Sequence, residues 1–298
     1  MNAATPPATP ATSADVQARI ARLFVYPVKS CAGVELTEAL LTETGLDLDR
    51  AWMVVDSEGR FVSQRELPRM ALVRVQLKSH EVVLRAPGML ALHLQIDEVE
   101  GPATVQVWDD RVPAYDMGAV AAQWFSDFLG RPLRLVRFDP EHRRLSSMKW
   151  TGGIEAPNQF ADAFPLLVAS EASLQELNAR LVAAGQGPVA IERFRPNLVL
   201  AGVQAHDEDR LDMLRIATGD EGEGVRLQPV KPCGRCTVPD VDPATGERGT
   251  VVADTLQAYR SNPLLDGAIT FRMNAIVRAG EGQVLRVGQA VAADWKFD

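Results

Sequence analysis

The sequence of 298 residues is 46% hydrophobic and 23% charged, which is the composition of an ordinary soluble protein with room for two domains. Its formal net charge of −8 argues against a nucleic-acid-binding surface, and no run approaches the roughly 18–20 apolar residues of a membrane span. Three cysteines are too few for a disulfide framework, so we expect a protein of the reducing cytoplasm.

The N-terminal half has the pattern of a strand-rich domain. Residues 1–17 are rich in Ala, Pro, Thr and Ser, lack the features of a secretory signal, and are expected to form a disordered tail. From 18 to 138, short apolar runs alternate with turns such as 56–59, which predicts β-hairpins in a closed or nearly closed sheet. One helix is predicted over 119–129, because apolar residues recur on one face and Gly130 follows.

The C-terminal half, 139–298, is predicted to be a second strand-rich domain. Its first part, 139–160, is polar and contains two adjacent glycines, so we expect a linker or mobile loop there. Ser170 is a candidate N-cap for a helix over 171–183, and a short helix is predicted over 254–260. The predicted strands are 166–169, 197–200, 225–230, 270–278 and 284–292. The whole sequence therefore predicts a β-rich α+β fold.

The most informative motif is a CGRC sequence, in which Cys233 and Cys236 flank a Gly-Arg pair. A thioredoxin-like dithiol needs a helix that begins at its first cysteine, and Pro239 and Pro243 disfavour one here. A zinc site needs a second pair of ligands, and the four histidines are scattered. Two further interpretations stay open: two structural cysteines beside a turn, or one thiolate bound to a metal whose other ligands come from a cofactor.

The metal interpretation requires cationic and amide donors for an anionic organic group. Lys231 and Arg235 adjoin the cysteines in the sequence. Three distant segments, 29–30, 49–50 and 193–197, hold further Lys, Arg, Ser and Asn side chains. They meet this requirement if folding brings them to the same place.

Seven motifs follow one another along the chain: VYPVKSCAG at 25–33, DRAW at 49–52, QRELPR at 64–69, SEASL at 170–174, RFRPN at 193–197, CGRC at 233–236 and VDPATG at 241–246. Taken in this order, they resemble the MOSC-domain family, in particular the group formed by the mitochondrial amidoxime-reducing component and its bacterial relatives. The resemblance covers nearly the whole chain after about residue 18.

The resemblance implies an N-terminal β-barrel-like domain over 18–138 and a MOSC-type β-barrel domain over 139–298, with a few peripheral helices. It also implies an enzyme that uses the molybdenum cofactor (molybdopterin) to reduce N-hydroxylated compounds, such as amidoximes, hydroxylamines and N-hydroxylated bases, to amines. By motif position, Cys236 would be the catalytic residue and the molybdenum ligand. The matching cofactor-binding residues would be Lys29, Ser30, Arg50, Arg195, Asn197 and Arg235. Asp162, in a further family-like segment before Phe164-Pro165, would also bind the cofactor, and a role as a helix or turn cap stays open for it.

The resemblance also implies partners. Some bacterial relatives carry an iron–sulfur domain, and because its cysteines do not follow before Asp298 we expect a separate electron donor of the ferredoxin or cytochrome/flavin-reductase type. We expect a small N-hydroxylated substrate, no nucleic acid and no membrane. Two alternatives stay open: a carrier of molybdenum cofactor or sulfur, with Cys236 holding the sulfur, and a β-rich binding module. A redox role for Cys233 also stays open.

Overall fold

The computed structural model of the protein describes residues 14–219 and 224–296. Most of the tail predicted over 1–17 therefore lies outside the described residues, and the first strand begins at Val16, two residues inside that prediction. The described residues form nineteen β-strands, four α-helices and five short 3-10 helices.

The elements follow in chain order. The strands are β1 (Val16–Val25), β2 (Val34–Leu36), β3 (Glu38–Thr42), β4 (Gly45–Leu46), β5 (Trp52–Val55), β6 (Arg74–Leu77), β7 (Glu81–Arg85), β8 (Leu92–Gln95), β9 (Gly101–Val107), β10 (Asp110–Asp116), β11 (Arg134–Phe138), β12 (Leu166–Ser170), β13 (Leu198–Ala201), β14 (Leu211–Ile216), β15 (Val225–Gly234), β16 (Ser261–Asn262), β17 (Ala268–Ala279), β18 (Val284–Arg286) and β19 (Ala290–Trp295). The α-helices are α1 (Gly118–Leu129), α2 (Met148–Thr151), α3 (Glu171–Ala183) and α4 (Val251–Gln257). The 3-10 helices are Pro68–Leu72, Ile191–Phe194, Asp207–Arg210, Val238–Asp240 and Pro263–Leu265.

Seven strands form a closed barrel in the order β12, β13, β1, β19, β14, β15 and β17, and the pairing of β17 with β12 closes it. β12 and β13 run parallel, whereas the other neighbours run antiparallel. Fully buried aliphatic side chains, including Ile20, Leu200, Leu214 and Val291, form its core. β1 therefore belongs to the same barrel as six strands from the C-terminal half.

A smaller, nearly closed sheet lies in the N-terminal half. β5, β11, β10 and β9 are antiparallel neighbours. Isolated bridges join Phe61 to Val55 and Arg60 to Gln106, and they connect the two edges of this sheet. Apolar side chains such as Phe138 pack inside it. The β-rich α+β fold predicted from the sequence is confirmed.

The helices pack against these sheets. α1 covers the helix predicted over 119–129 and ends at Gly130, whose φ of 76° is a left-handed conformation that favours glycine. α3 has the predicted bounds, and Ser170 Oγ accepts a hydrogen bond from the Ser173 N–H at its start. Within the described ranges, no helix has the length and apolar character needed to cross a membrane.

The predicted start of α4 was wrong. The helix expected over 254–260 begins three residues earlier, at Val251. The carboxylate of Asp240, which precedes the helix by eleven residues, accepts a hydrogen bond from the Ala253 N–H at 3.0 Å. Because Asp240 is distant in sequence from the helix that it caps, the residues next to the helix do not indicate its first turn. The local pattern therefore predicted a start that is too late.

The segment 139–160 contains α2 and one buried guanidinium. The side chain of Arg144 donates hydrogen bonds to Asp110 Oδ2 at 2.8 Å, to Asn158 Oδ1 at 2.7 Å and to the Ala161 carbonyl at 2.7 Å. Arg144 therefore connects this segment to β10. The mobility expected for the segment stays a prediction.

A buried carboxyl fixes the start of α3. Glu208 is fully buried and accepts hydrogen bonds from Ser170 Oγ at 2.8 Å and from Ser173 Oγ at 2.7 Å. Burial raises the pKa of Glu208 above its ordinary value. Both serines belong to the SEASL motif, so this motif has a structural role.

We predict that Glu208→Gln flattens the pH dependence of stability. The folded carboxyl holds its proton to a higher pH than the unfolded one, so the wild type loses stability as pH rises from the ordinary pKa of 4.5 through the folded pKa. Each tenfold difference in proton affinity between the folded and unfolded states corresponds to about 1.4 kcal/mol of stability. Urea unfolding of both proteins from about pH 5 to about pH 8 measures this difference. If the free energy of unfolding changed with pH equally in the wild type and in Glu208→Gln, the prediction would be contradicted.

Candidate functional site

All eight residues that the sequence singles out line one pocket at an end of the seven-strand barrel. They lie after β1, before β5, before β12 and β13, and at the end of β15. The end of β1 adjoins the start of β13 because these strands run antiparallel. These pocket residues are Lys29, Ser30, Arg50, Asp162, Arg195, Asn197, Arg235 and Cys236.

The pocket is strongly basic. Asp162 is the one carboxylate among the described residues that line it. Two of its cations were not identified from the sequence: Arg65 lies in the QRELPR motif without an assigned role, and Arg272 lies within β17, where nothing local marks it. The six lining cations are Lys29, Arg50, Arg65, Arg195, Arg235 and Arg272.

Several N–H groups of these arginines lack a hydrogen-bond partner among the described residues. They belong to Arg195 Nη2, Arg235 Nε and all three side-chain nitrogens of Arg272. Buried donors without acceptors are rare and destabilising. An anionic ligand with several acceptor atoms would satisfy them, so the donor set fits a negatively charged organic group.

The backbone is strained at four lining positions. The φ angles are 67° at Ser30, 53° at Arg50, 58° at Arg195 and 81° at Arg272. Non-glycine residues rarely adopt this left-handed region, and each such conformation costs about 1–3 kcal/mol. Strain of this kind concentrates at binding sites, where the position of a side chain matters more than local stability.

Lys29 and Asp162 form an ion pair at the side of the pocket. Lys29 Nζ donates hydrogen bonds to Asp162 Oδ1 at 2.5 Å and to the Phe160 carbonyl at 2.8 Å. Burial lowers the pKa of Lys29, and the Asp162 carboxylate opposes this shift. Asp162 itself is exposed at the rim and would repel an anion, so its contact here is to Lys29. Its predicted contact with a cofactor stays a prediction.

The ring of Tyr26 contacts two arginines. The guanidinium carbons of Arg50 and Arg195 lie 4.5 Å and 4.2 Å from its ring centroid, within cation–π range. Arg50 also pairs with the Asp49 carboxylate, and Arg195 Nη1 donates to the Cys31 carbonyl at 2.5 Å. Burial, with Arg50 nearby, lowers the pKa of Arg195 to about 10, which leaves it charged at neutral pH.

The ring of Tyr26 is held in place by its neighbours. The Tyr26 N–H donates to Asp49 Oδ1 at 2.8 Å. A Cβ atom on Gly33 would lie 2.5 Å from Tyr26 Cε1, so a larger residue would displace the ring. This close approach explains the glycine that ends the VYPVKSCAG motif.

The amide of Asn197 is engaged with the protein itself. Its Oδ1 accepts hydrogen bonds from Arg50 Nη1 and from the Leu167 N–H, both at 3.1 Å. Its Nδ2 donates to the Phe24 carbonyl at 3.2 Å. Asn197 therefore joins β1 to β12 and orients Arg50 toward the pocket.

The two cysteines of the CGRC motif have different surroundings. Cys233, at the end of β15, accepts a hydrogen bond at Sγ from Arg235 Nη1 at 2.9 Å. Cys236 lies beyond the strand, is exposed, and accepts one at Sγ from Arg65 Nη1 at 3.6 Å. No α-helix begins at either cysteine, which differs from the geometry of a thioredoxin-like dithiol. The thiol of Cys236 is thus accessible to a ligand in the pocket.

Comparison with known proteins identifies the family. Residues 17–132 match the MOSC N-terminal beta barrel domain, and residues 155–292 match the MOSC domain. The chain is 35% identical over 259 residues to mitochondrial amidoxime reducing component 2 of Rattus norvegicus, an alignment that covers 81% of this chain and 72% of that protein. The chain belongs to the MOSC family. Mitochondrial amidoxime-reducing component 1 of Homo sapiens is 37% identical over 254 residues, with the same coverage of both chains.

A second kind of MOSC protein is also similar. The molybdenum cofactor sulfurase of Homo sapiens is 28% identical over 291 residues, which cover 91% of this chain but 32% of that protein. The two MOSC regions also share one barrel in this structure, because β1 lies in the N-terminal region and pairs with β13 and β19 of the MOSC domain. The domain boundary expected at 138/139 stays a prediction.

We predict that Asn197→Ala in this MOSC protein lowers the free energy of unfolding by about 2–4 kcal/mol, because it removes three hydrogen bonds and leaves their buried partners unsatisfied. Asn274→Ala is the matched control, since Asn274 also lines the pocket but its Nδ2 makes one such bond, to the Lys231 carbonyl. It should cost about 1 kcal/mol. Urea unfolding measures both, and equal losses would contradict the role assigned to Asn197.

Proposed function

We propose that this MOSC protein is a molybdenum-cofactor-dependent reductase of N-hydroxylated compounds. The observation that carries the proposal is that the exposed thiol of Cys236 shares one pocket with six cationic side chains, several of which have free N–H donors. This combination supplies one soft metal ligand and receptors for an anionic organic cofactor. The similarity to two proteins named as amidoxime-reducing components supports a reductase.

The residues of the pocket divide into groups with different tasks. Cys236 would bind molybdenum through Sγ, while Arg195 and Arg235 would donate their free N–H groups to anionic parts of the pterin. Arg50 and Lys29 are already oriented by carboxylates and would add positive charge to the same wall. When bound, the molybdenum cofactor supplies the two-electron chemistry that cleaves the N–O bond.

Arg65 has a task that follows from its contacts. Its Nη1 lies 3.6 Å from Cys236 Sγ, and its guanidinium carbon lies 4.6 Å from the ring centroid of the partly exposed Trp108. The guanidinium therefore places a positive charge beside the sulfur that would bind the metal. Stacking on Trp108 limits the positions open to the guanidinium, so the charge stays beside the sulfur.

The reaction also requires a partner. Conversion of an N-hydroxyl group to an amine takes up two electrons and two protons and releases one water. We propose that the electrons come from a separate protein of the ferredoxin or cytochrome/flavin-reductase type, and that the substrate is a small N-hydroxylated compound.

A carrier of molybdenum cofactor or sulfur is the second candidate, supported by the similarity to molybdenum cofactor sulfurase. In that case Cys236 would hold a transferable sulfur or the cofactor without turnover. One measurement separates the candidates: molybdenum-replete protein is mixed with a reduced dye and an amidoxime, and formation of the amidine is followed. Turnover supports the reductase, and molybdenum without turnover supports the carrier.

We predict that Cys236→Ser reduces amidoxime turnover to below about 1% of the wild-type rate, because the hydroxyl does not replace the soft thiolate ligand. Cys31→Ala is the control, since Cys31 is buried outside the pocket lining and its thiol has no proposed role. Molybdenum content and dye-driven turnover are measured on both proteins. A molybdenum-replete Cys236→Ser protein with wild-type turnover would overturn the assignment of Cys236.

A further inference from the structure

Arg272 is a pocket residue that the proposed function leaves without a task. It lies on β17, its side chain is fully buried, and none of its three side-chain nitrogens has a hydrogen-bond partner among the described residues. It lines the same pocket as Cys236. An unpaired charge inside a protein is strongly destabilising, so it calls for a neutralising group.

Arg144 shows how this chain satisfies a buried arginine that has a structural role. Its guanidinium donates to two side-chain oxygens, of Asp110 and Asn158, and to main-chain carbonyls that include that of Ala161. Arg272 is buried to a greater extent and has no such partner among the described residues. The difference points to an acceptor that comes from outside the chain.

A second cation, Arg235, lies close to Arg272 and adds to the uncompensated positive charge. The guanidinium carbons of Arg272 and Arg235 lie 5.3 Å and 5.9 Å from the centroid of the same ring, that of Phe194. Burial lowers the pKa of Arg272 well below its usual range, and the neighbouring Arg235 lowers it further. Cys233 acts in the opposite direction, but its Sγ already accepts a hydrogen bond from Arg235 Nη1.

The backbone at Arg272 is also unfavourable for this residue type. Its φ of 81° lies in the left-handed region, where glycine would be unstrained. An arginine here therefore adds backbone strain to the burial of a charge. Neither feature helps the barrel to fold, whereas both place a guanidinium at the buried end of the pocket.

We propose that Arg272, together with Arg235 and Arg195, forms a receptor for a phosphate monoester at the buried end of the pocket. Their free N–H groups exceed what the two oxygens of a carboxylate accept and suit the three terminal oxygens of a phosphate. The proposal rests on the proposed function in that the phosphate is assigned to the pterin cofactor. Free inorganic phosphate is the other source of the same chemistry.

The first experiment uses the full-length, cofactor-free protein and inorganic phosphate as the probe. Thermal unfolding is followed with increasing phosphate at an ionic strength held constant with potassium chloride. Phosphate should raise the Tm of the wild type. Arg272→Met should weaken phosphate binding at least about tenfold and should raise the Tm in phosphate-free buffer, because it removes an unpaired buried charge.

Three further variants serve as controls. Arg272→Gly suits the φ of 81°, so it keeps the test open if the methionine variant folds poorly. Arg215→Met removes a partly exposed arginine that pairs with Asp294 outside the pocket, and it should leave the phosphate response unchanged. Arg144→Met removes a buried, fully bonded arginine and should lower the Tm in phosphate-free buffer. Opposite changes in Tm for Arg144→Met and Arg272→Met would show that the gain in stability comes from removing an unpaired charge and not from removing a buried arginine as such.

A lower Tm in phosphate-free buffer together with a wild-type phosphate response in both Arg272 variants would overturn the proposal. A second measurement distinguishes the sources: the pterin that co-purifies with each protein is oxidised and measured by fluorescence. A tenfold or greater loss in Arg272→Met supports the cofactor phosphate, and unchanged pterin content overturns that assignment. Phosphate binding by the cofactor-free chain involves no molybdenum chemistry, so its failure is distinguishable from a failure of the reductase proposal.

Discussion

Mutual repulsion among six cations in one pocket is the constraint on which the rest of this structure depends. Among the described residues, each of these cations except Arg272 has a hydrogen-bond or ion-pair contact that offsets part of its charge. Those contacts are Asp162 for Lys29, Asp49 for Arg50, Cys236 Sγ for Arg65, the Cys31 carbonyl for Arg195 and Cys233 Sγ for Arg235. Carboxylates on two of the six leave most of the positive charge uncompensated. The chain must therefore hold these groups together by its fold.

The closed barrel provides that restraint. β1 and β19, near the two ends of the described chain, pair with each other, and the pairing of β12 with β17 completes the ring. Asn197, Arg235 and Cys236 adjoin the ends of barrel strands, where the hydrogen-bonded ladder fixes the backbone. Side-chain amides such as that of Asn197 then join neighbouring strands and fix individual arginines.

Local signals in the sequence account for part of this arrangement. α1 and α3 were predictable because apolar periodicity and the flanking Gly130 and Ser170 act within one segment. The start of α4 was not, because its cap is Asp240. The family motifs led to the eight predicted pocket residues, although their roles stay predictions. Arg272 was not predictable, since its significance arises from burial and from missing acceptors, and both are properties of the folded chain.

The positive charges of the pocket would act both on the sulfur of Cys236 and on a bound anion, because all of these groups line one pocket. Arg65 donates a hydrogen bond to the sulfur of Cys236, whereas Arg272 and Arg235 have N–H donors without a partner among the described residues. An anion alone would reduce the positive field at the sulfur of Cys236. A ligand that brings a metal cation together with anionic arms avoids this competition, because the metal binds the sulfur while the arms neutralise the arginines. The charge distribution of the pocket thus suits a ligand of both kinds better than a metal or an anion alone.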